Sequence, residues 1–298
     1  FDLEACYLQS ETSNQVVNRI KSFCREKSLS VYDLRQHAGF LRFLVIKEAK
    51  NSGEVMVNFV THQGDGSALR ILAKELMNSF PSINSVVRNI NTKRAQIAVG
   101  EMEEVLAGRN YILEKVGPFQ FQISANSFFQ SNSQQAEKLC LLATEFAQPQ
   151  PDQVILDLYS GTGTISFFLA QRTKQVIGVE SNSQTVKSAR DNARFNNITN
   201  CSFVCSEAKD YLALAILRNE KFAAVVVDPP RSGLHPRVVD HLIKLSPPKV
   251  IYVSCNPTTL ARDLKMLCEK AYDLELVQPV DMFPHTYHIE AVCKLVRK

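Results

Sequence analysis

Leu156-Asp157-Leu158-Tyr159-Ser160-Gly161-Thr162-Gly163-Thr164, followed by Val176-Ile177-Gly178-Val179-Glu180, decides the fold. The first stretch is an apolar run that passes through a Gly-x-Gly turn into a helical segment. The missing side chains at Gly161 and Gly163 let a ligand approach the backbone closely. Glu180 ends the next apolar run, about 20 residues on, where a carboxylate accepts hydrogen bonds from ribose hydroxyls. Ile165-Ser166-Phe167 follows in place of a third glycine. That departs from dinucleotide binding and favours an adenosyl ligand without a pyrophosphate. A tight turn with a surface glutamate is the plainer alternative.

Working outward, apolar runs at 154–158, 175–179, 201–205, 223–227 and 249–253 alternate with helical patterns. Near-continuous apolar strands separated by helices predict an α/β fold with a parallel sheet covered on both faces. The last two runs, 274–280 and 289–296, have no long helix between them and predict an antiparallel edge. A helix after Asn132 runs to about Ala147 and is broken by Gln148-Pro149-Gln150-Pro151-Asp152. The first part reads as mixed α and β. Val16, Val17, Ile20 and Phe23 predict a helix over 14–25, capped by Ser13 or Asn14. Strands over 41–46 and 55–60 flank Lys50-Asn51-Ser52-Gly53 as a hairpin. A helix over 67–78 capped by Ser67 follows, then strands over 85–90, 96–99, 111–116 and 119–124. A smaller α/β domain is therefore expected over 1–120 and a larger one over 121–298.

The 298 residues can bury two cores, and the net charge of +4 is compatible with a polyanionic partner without requiring one. Eight cysteines without a CxxC pair suit a reducing compartment, with Cys24, Cys140, Cys268 and Cys293 expected as core fillers. No apolar stretch approaches the roughly 20 residues that span a bilayer. The chain opens at Phe1 rather than methionine, which suggests a piece of something longer. An intracellular, cytoplasmic protein is expected, with an organelle left open.

Three further motifs sit at strand ends. Val226-Val227-Asp228-Pro229-Pro230-Arg231 has two prolines that force a stiff, extended exit from its strand. Asp228 would face the crevice, and Arg231 would pair with an aspartate or a phosphate. Val253-Ser254-Cys255-Asn256-Pro257 presents a thiol where a strand meets a loop. The thiolate is the reactive form, so Cys255 needs an electropositive or helix-terminal setting, which a helix starting near Pro257 would supply. His285-Thr286-Tyr287-His288-Ile289-Glu290 offers Glu290 as a base. Its histidines lack zinc spacing and suit loop hydrogen bonds or RNA phosphates.

Taken together with Phe128-Phe129-Gln130, these motifs resemble the RNA uracil-5-methyltransferase family, across the whole second half and more loosely through the first. The resemblance implies a class I methyltransferase fold, Rossmann-like, with a mostly parallel seven-stranded sheet and a smaller RNA-contacting domain before it. It implies S-adenosylmethionine as methyl donor, held by Gln130, Tyr159, Gly161, Glu180 and Asp228. It also implies Cys255 as nucleophile and Glu290 as proton acceptor, with no metal. The expected partner is structured RNA, transfer RNA first and large-subunit ribosomal RNA second. Arg42, Lys47, Lys93 and Arg94 are candidate phosphate contacts. Some members carry an iron-sulfur cluster; none is expected here, Cys6 being the only remaining candidate ligand. A cytosine-5 methyltransferase and a noncatalytic RNA-binding factor on the same scaffold are the rival readings.

Overall fold

The computed structural model describes residues 2–298 and forms two compact units. The first comprises the residues up to Glu114 together with Gln122–Asn126; the second comprises Lys115–Phe121 and Ser127–Lys298.

In the first unit, strands β1 (Leu41–Glu48), β2 (Val55–Thr61), β3 (Ile83–Ile90) and β4 (Met102–Gly108) form a sheet in that order. β1 and β2 are an antiparallel hairpin, β2 and β3 run parallel, and β3 and β4 antiparallel. Helices α1 (Glu11–Glu26) and α2 (Ser67–Ser79) bury Val16, Ile20, Leu69, Leu72 and Leu76 with Val57 and Phe59 of the sheet.

Three local expectations are corrected. Ser10, not Ser13 or Asn14, caps α1, its Oγ accepting from Ser13 N–H at 3.0 Å. The apolar periodicity marks only the buried face, so the polar first turn was not legible from it. Ser67 is the first residue of α2, and Gly66 holds the cap position; Ser67 donates from its N–H and Oγ to Asp65 instead. The strand expected over 96–99 is a loop, because Asn91 Nδ2 donates to the carbonyls of Ile97 and Val99, both at 2.8 Å. The strand forms later as β4, whose mostly exposed residues give little apolar signal.

The chain passes into the second unit through the β5 (Tyr111–Val116) and β6 (Phe119–Ser124) hairpin. Then come α3 (Ser133–Ala147), β7 (Val154–Leu158), α4 (Thr164–Ala170), β8 (Gln175–Glu180), α5 (Ser183–Phe195), β9 (Cys201–Cys205) and α6 (Ala208–Leu217). After them follow β10 (Ala224–Val227), α7 (Pro236–Leu245), β11 (Lys249–Ser254), α8 (Pro257–Lys270), β12 (Tyr272–Val280) and β13 (Glu290–Arg297). The seven strands lie in the order β12-β13-β11-β10-β7-β8-β9. β11, β10, β7, β8 and β9 are parallel, while β13 pairs antiparallel with both β11 and β12.

Side-chain alternation along the strands explains the two covered faces. Leu156, Leu158, Val225, Val227, Val250 and Tyr252 pack against α6, α7 and α8. Asp157, one residue out of phase, lies on the opposite face, where its Oδ2 accepts from Ser166 Oγ of α4 at 2.5 Å. The strand order reverses at β7, with β8 on one side and β10 on the other, and such a switch point opens a crevice at the strands' carboxyl ends.

Candidate active site

A cavity of about 890 Å³ opens at that crevice, and Gln130, Tyr159, Gly161, Glu180, Asp228, Cys255 and Glu290 all line it. Five of the seven follow directly from strand ends. Tyr159 and Gly161 leave β7, Glu180 ends β8, Asp228 follows β10 and Cys255 follows β11. Glu290 opens β13, which runs the other way and so delivers its first residue to the same end of the sheet. Gln130 precedes α3, where Asn132 caps the helix and its Nδ2 donates to the Met282 carbonyl at 3.1 Å.

The β7–α4 turn is held in left-handed backbone at Tyr159 (φ 63°), Gly161 (φ 54°) and Gly163 (φ 90°). A tyrosine there costs of order 1–3 kcal/mol, a strain that persists where the surroundings over-determine it, typically at functional sites. The two glycines serve different ends. A Cβ on Gly163 would meet Phe203 at 2.8 Å and Phe167 at 3.0 Å, so this glycine allows close packing; a Cβ on Gly161 would meet nothing within 4 Å. Glu180 Oε2 accepts from Gly161 N–H at 3.3 Å and its Oε1 from Asn182 N–H at 2.8 Å, which fixes the carboxylate over the turn. Gly161→Ala should therefore cost the fold only about 1–2 kcal/mol, the ordinary cost of a Cβ at positive φ. It should weaken adenosyl-ligand binding at least about tenfold, by filling the approach to the backbone. Thermal unfolding and calorimetric titration separate the two effects.

Asp157 and Ser160 were quoted only as part of the turn, but both line the cavity. Asp157 Oδ1 and Ser160 Oγ are buried without a hydrogen-bond partner in the protein. The signal for Asp157 was present: a carboxylate inside an otherwise apolar buried strand demands a partner. Burial pushes its carboxyl up to about 7, with Glu180 adding to the rise and Ser166 opposing it. Asp228 is pushed up to about 8 by burial first and then by Glu290 and Asp157. A carboxyl raised in this way stabilises the fold fully below its ordinary range near 3.8 and loses that contribution as pH rises through the raised value. The thermal midpoint of the ligand-free protein should therefore fall between about pH 4 and pH 8, and Asp228→Asn should flatten the decline. An unchanged slope in that variant would exclude Asp228 as a source.

Cys255 stands one residue before Asn256, the N-cap of α8, so it precedes the helix start rather than occupying it. The electropositive setting expected from that helix does not dominate. Burial, Glu290 and Asp228 push the half-buried thiol up, and Arg231 pulls the other way. Glu290 is buried, and its carboxyl is raised by that burial against the pull of Arg231. Among the described residues, Arg231 forms no ion pair with an aspartate or another carboxylate. Its Nη2 meets His288 Nδ1 at 2.6 Å, and both residues line the cavity. His285 is exposed at a left-handed position (φ 66°).

Elsewhere, Arg42 is not free to meet phosphates. It donates to the carbonyls of Asn91, Lys93 and Ala95 and lies 4.5 Å over the Tyr32 ring. Lys47 donates to the Ser124 carbonyl at 2.9 Å, and burial pushes its ammonium down to about 8. Lys93 and Arg94 are exposed. Cys6 is fixed by Asn14, which accepts from its N–H at 2.8 Å. Among the described residues, no three His, Cys, Asp or Glu side chains are grouped to hold a metal ion, and no helix is long and apolar enough to cross a membrane.

The strand order, the antiparallel β13 and the glycine turn after β7 define a class I methyltransferase fold. The tRNA (uracil-5-)-methyltransferase family matches residues 7–298, and the chain belongs to it. An uncharacterized RNA methyltransferase of Chlorobaculum tepidum is 40% identical over 294 residues, covering 98% of this chain and 61% of its own length. One from Halalkalibacterium halodurans is 38% identical over 297 residues, covering 100% and 65%. The chain thus spans less than two thirds of the length of these relatives. The crystal structure of Pyrococcus abyssi tRNA (uracil-54, C5)-methyltransferase with S-adenosyl-L-homocysteine superposes with a TM-score of 0.83 at 36% identity, covering 99% of this chain and 70% of that one.

Proposed function

We propose that this protein transfers a methyl group from S-adenosylmethionine to C5 of a uridine in structured RNA. The observation that carries the reading is the meeting of a thiol, Cys255, and a buried carboxyl, Glu290, in one crevice beside the glycine turn. A fold used only as a scaffold needs neither group there.

The crevice suits the donor. Gly161 leaves its backbone open, Glu180 is fixed over the turn, and the unpartnered Asp157 Oδ1 and Ser160 Oγ offer polar contacts. Gln130, Tyr159, Gly161, Glu180 and Asp228 are assigned to hold it, and Asp157 joins them. When bound, S-adenosylmethionine supplies an electrophilic methyl group on a sulfonium.

The protein's own residues meet the harder requirement, which is to make uracil C5 nucleophilic. Cys255 Sγ, its proton lost to solvent, adds as thiolate to C6, and the electron pair of the C5–C6 bond moves into the C4 carbonyl as an enolate. C5 then carries the nucleophilic electron density. Once C5 bears its methyl group, Glu290 takes the C5 proton, the C5–C6 double bond re-forms and the C6–S bond breaks, freeing Cys255. Glu290 later loses that proton to solvent. Arg231, facing both groups, is the cation that favours the thiolate.

The target atom is shielded within stacked RNA, so the base must be extruded into the cavity. Phe128 and Tyr287, both largely exposed, offer aromatic surfaces of the kind on which unpaired bases stack. The first domain, with Lys93 and Arg94 exposed, is assigned to RNA contact. Transfer RNA is the favoured substrate, on the strength of family membership and of the substrate of the Pyrococcus enzyme. The deciding experiment presents labelled S-adenosylmethionine with uridine-containing transfer RNA, large-subunit ribosomal RNA and uridine-free RNA. 5-Fluorouridine versions of the two uridine-containing RNAs should trap a covalent complex where the RNA is the substrate, since fluorine cannot leave C5 as a proton does. Methylation of cytidine alone would replace this reading with the cytosine-5 one; no transfer to any RNA would replace it with a noncatalytic one.

A further inference from the structure

We infer that Asn256 is a positioning residue that locks the thiol loop to the Arg231 loop and thereby holds Arg231 toward Cys255 and Glu290. This rests on the reading of Cys255 as the nucleophile.

The two loops leave adjacent parallel strands, β10 and β11, and nothing in a parallel sheet fixes one such loop against its neighbour. Here the fastening comes from side chains at the start of α8. Asn256 Oδ1 accepts from Thr258 N–H at 3.0 Å, which caps the helix, while its Nδ2 donates to the Arg231 carbonyl at 3.0 Å. One planar carboxamide thus performs two tasks, and the second is not needed for capping. Thr259 Oγ1 donates to the same carbonyl at 3.2 Å.

The Asn256 backbone is itself fixed by Ser254. Ser254 Oγ accepts from Asn256 N–H at 3.1 Å and meets the Asn256 carbonyl at 3.1 Å, so the peptide carrying Cys255 lies inside a closed turn. On the far side the Arg231 loop has little slack. Arg262 donates to the Ser232 carbonyl, Asp263 accepts from Leu234 N–H at 2.7 Å, and a Cβ on Gly233 would meet Arg262 and Asp263, both at 2.6 Å. The guanidinium end of Arg231 is set by His288. Asn256 is therefore the joint between a rigid thiol turn and a rigid arginine loop. Without it, the thiol keeps its place while the Arg231 backbone loses one of the two side-chain bonds that tie it to the start of α8, and the cation is held less closely to the thiol.

The test replaces Asn256→Ser, which keeps a good N-cap but is too short to cap and bridge together, and Thr259→Val, which removes the second bond to the same carbonyl. The readout that does not depend on RNA is the pH dependence of Cys255 alkylation by iodoacetamide, followed by mass spectrometry at that residue. Asn256→Ser should slow alkylation at neutral pH by about threefold to tenfold and shift the profile to higher pH, with the thermal midpoint unchanged. Thr259→Val should act in the same direction and less. In methyl transfer, kcat should fall by about tenfold or more with KM for RNA within about twofold. An Asn256→Ser profile that superposes on wild type, with kcat intact, would leave Asn256 a helix cap and overturn the inference. Should Asn256→Ser lower the thermal midpoint, the Thr259→Val profile decides, and no shift there also overturns it. Absence of methyl transfer in wild type would count against the enzymatic reading, while the alkylation profiles would still decide this one.

Discussion

Cys255→Ala is expected to abolish methyl transfer, lowering the rate by roughly 10⁴-fold or more, because the other thiol lining the cavity, Cys140, is buried and pushed well up by that burial, so it offers no thiolate to C6. Without that addition, uracil C5 has no electron density to offer. Cys255→Ser should fare little better, since a hydroxyl offers almost none of the nucleophile at neutral pH. Both variants should unfold near the wild-type temperature, because Cys255 is only half-buried and forms no disulfide. The measurements are labelled-methyl incorporation and a denaturing gel of the 5-fluorouridine RNA complex, which should vanish in both variants. Retention of more than about a tenth of wild-type activity would remove the covalent step from the mechanism. A companion effect concerns pH. Burial, Glu290 and Asp228 raise the thiol, so the wild-type rate limited by thiolate should climb as pH rises above neutrality.

The site was legible in the sequence to the extent that strand ends were. A run such as Val226-Val227-Asp228 announces both a buried strand and the residue that leaves it, so the parallel order of the sheet carries Asp228, Glu180 and Cys255 to one edge without further information. Glu290 was placed by the absence of a helix before β13, which turns that strand around. Electrostatics were less legible. Whether Cys255 sits in a positive or a negative setting depends on distances to Glu290 and Asp228, which are 35 and 27 residues away in the chain, and periodicity says nothing of these. The Arg231–His288 pair is of the same kind, a meeting of two loops with no local pattern. In the first unit, Arg42 and Lys47 read as candidate phosphate contacts because long cationic side chains are usually exposed; their folding inward onto carbonyl oxygens is a tertiary fact. The missed β4 shows the opposite limit. An edge strand with most residues exposed need not be apolar, so its alternation was too faint to see.

Glu290→Gln separates proton removal from nucleophilic addition, and the two should respond in opposite directions. Glutamine keeps the shape of the buried side chain but cannot accept the C5 proton, so turnover should fall by about 10²- to 10⁴-fold. Addition and methylation precede that loss, and the C6–S bond can break only after it. The variant should therefore accumulate a covalent complex with ordinary uridine RNA, resistant to denaturation and carrying the labelled methyl group. At the same time the substitution removes a carboxyl that pushes the Cys255 thiol up. In the absence of RNA, iodoacetamide should alkylate Cys255 faster in Glu290→Gln than in wild type at neutral pH. A merely structural glutamate predicts neither result: its loss would lower stability and leave no trapped complex. If Glu290→Gln turned over normally, or lost activity without trapping RNA, the proton acceptor would have to be sought elsewhere in the cavity. Asp228 would be the next candidate, since its raised carboxyl lines the same space and feels Glu290 directly.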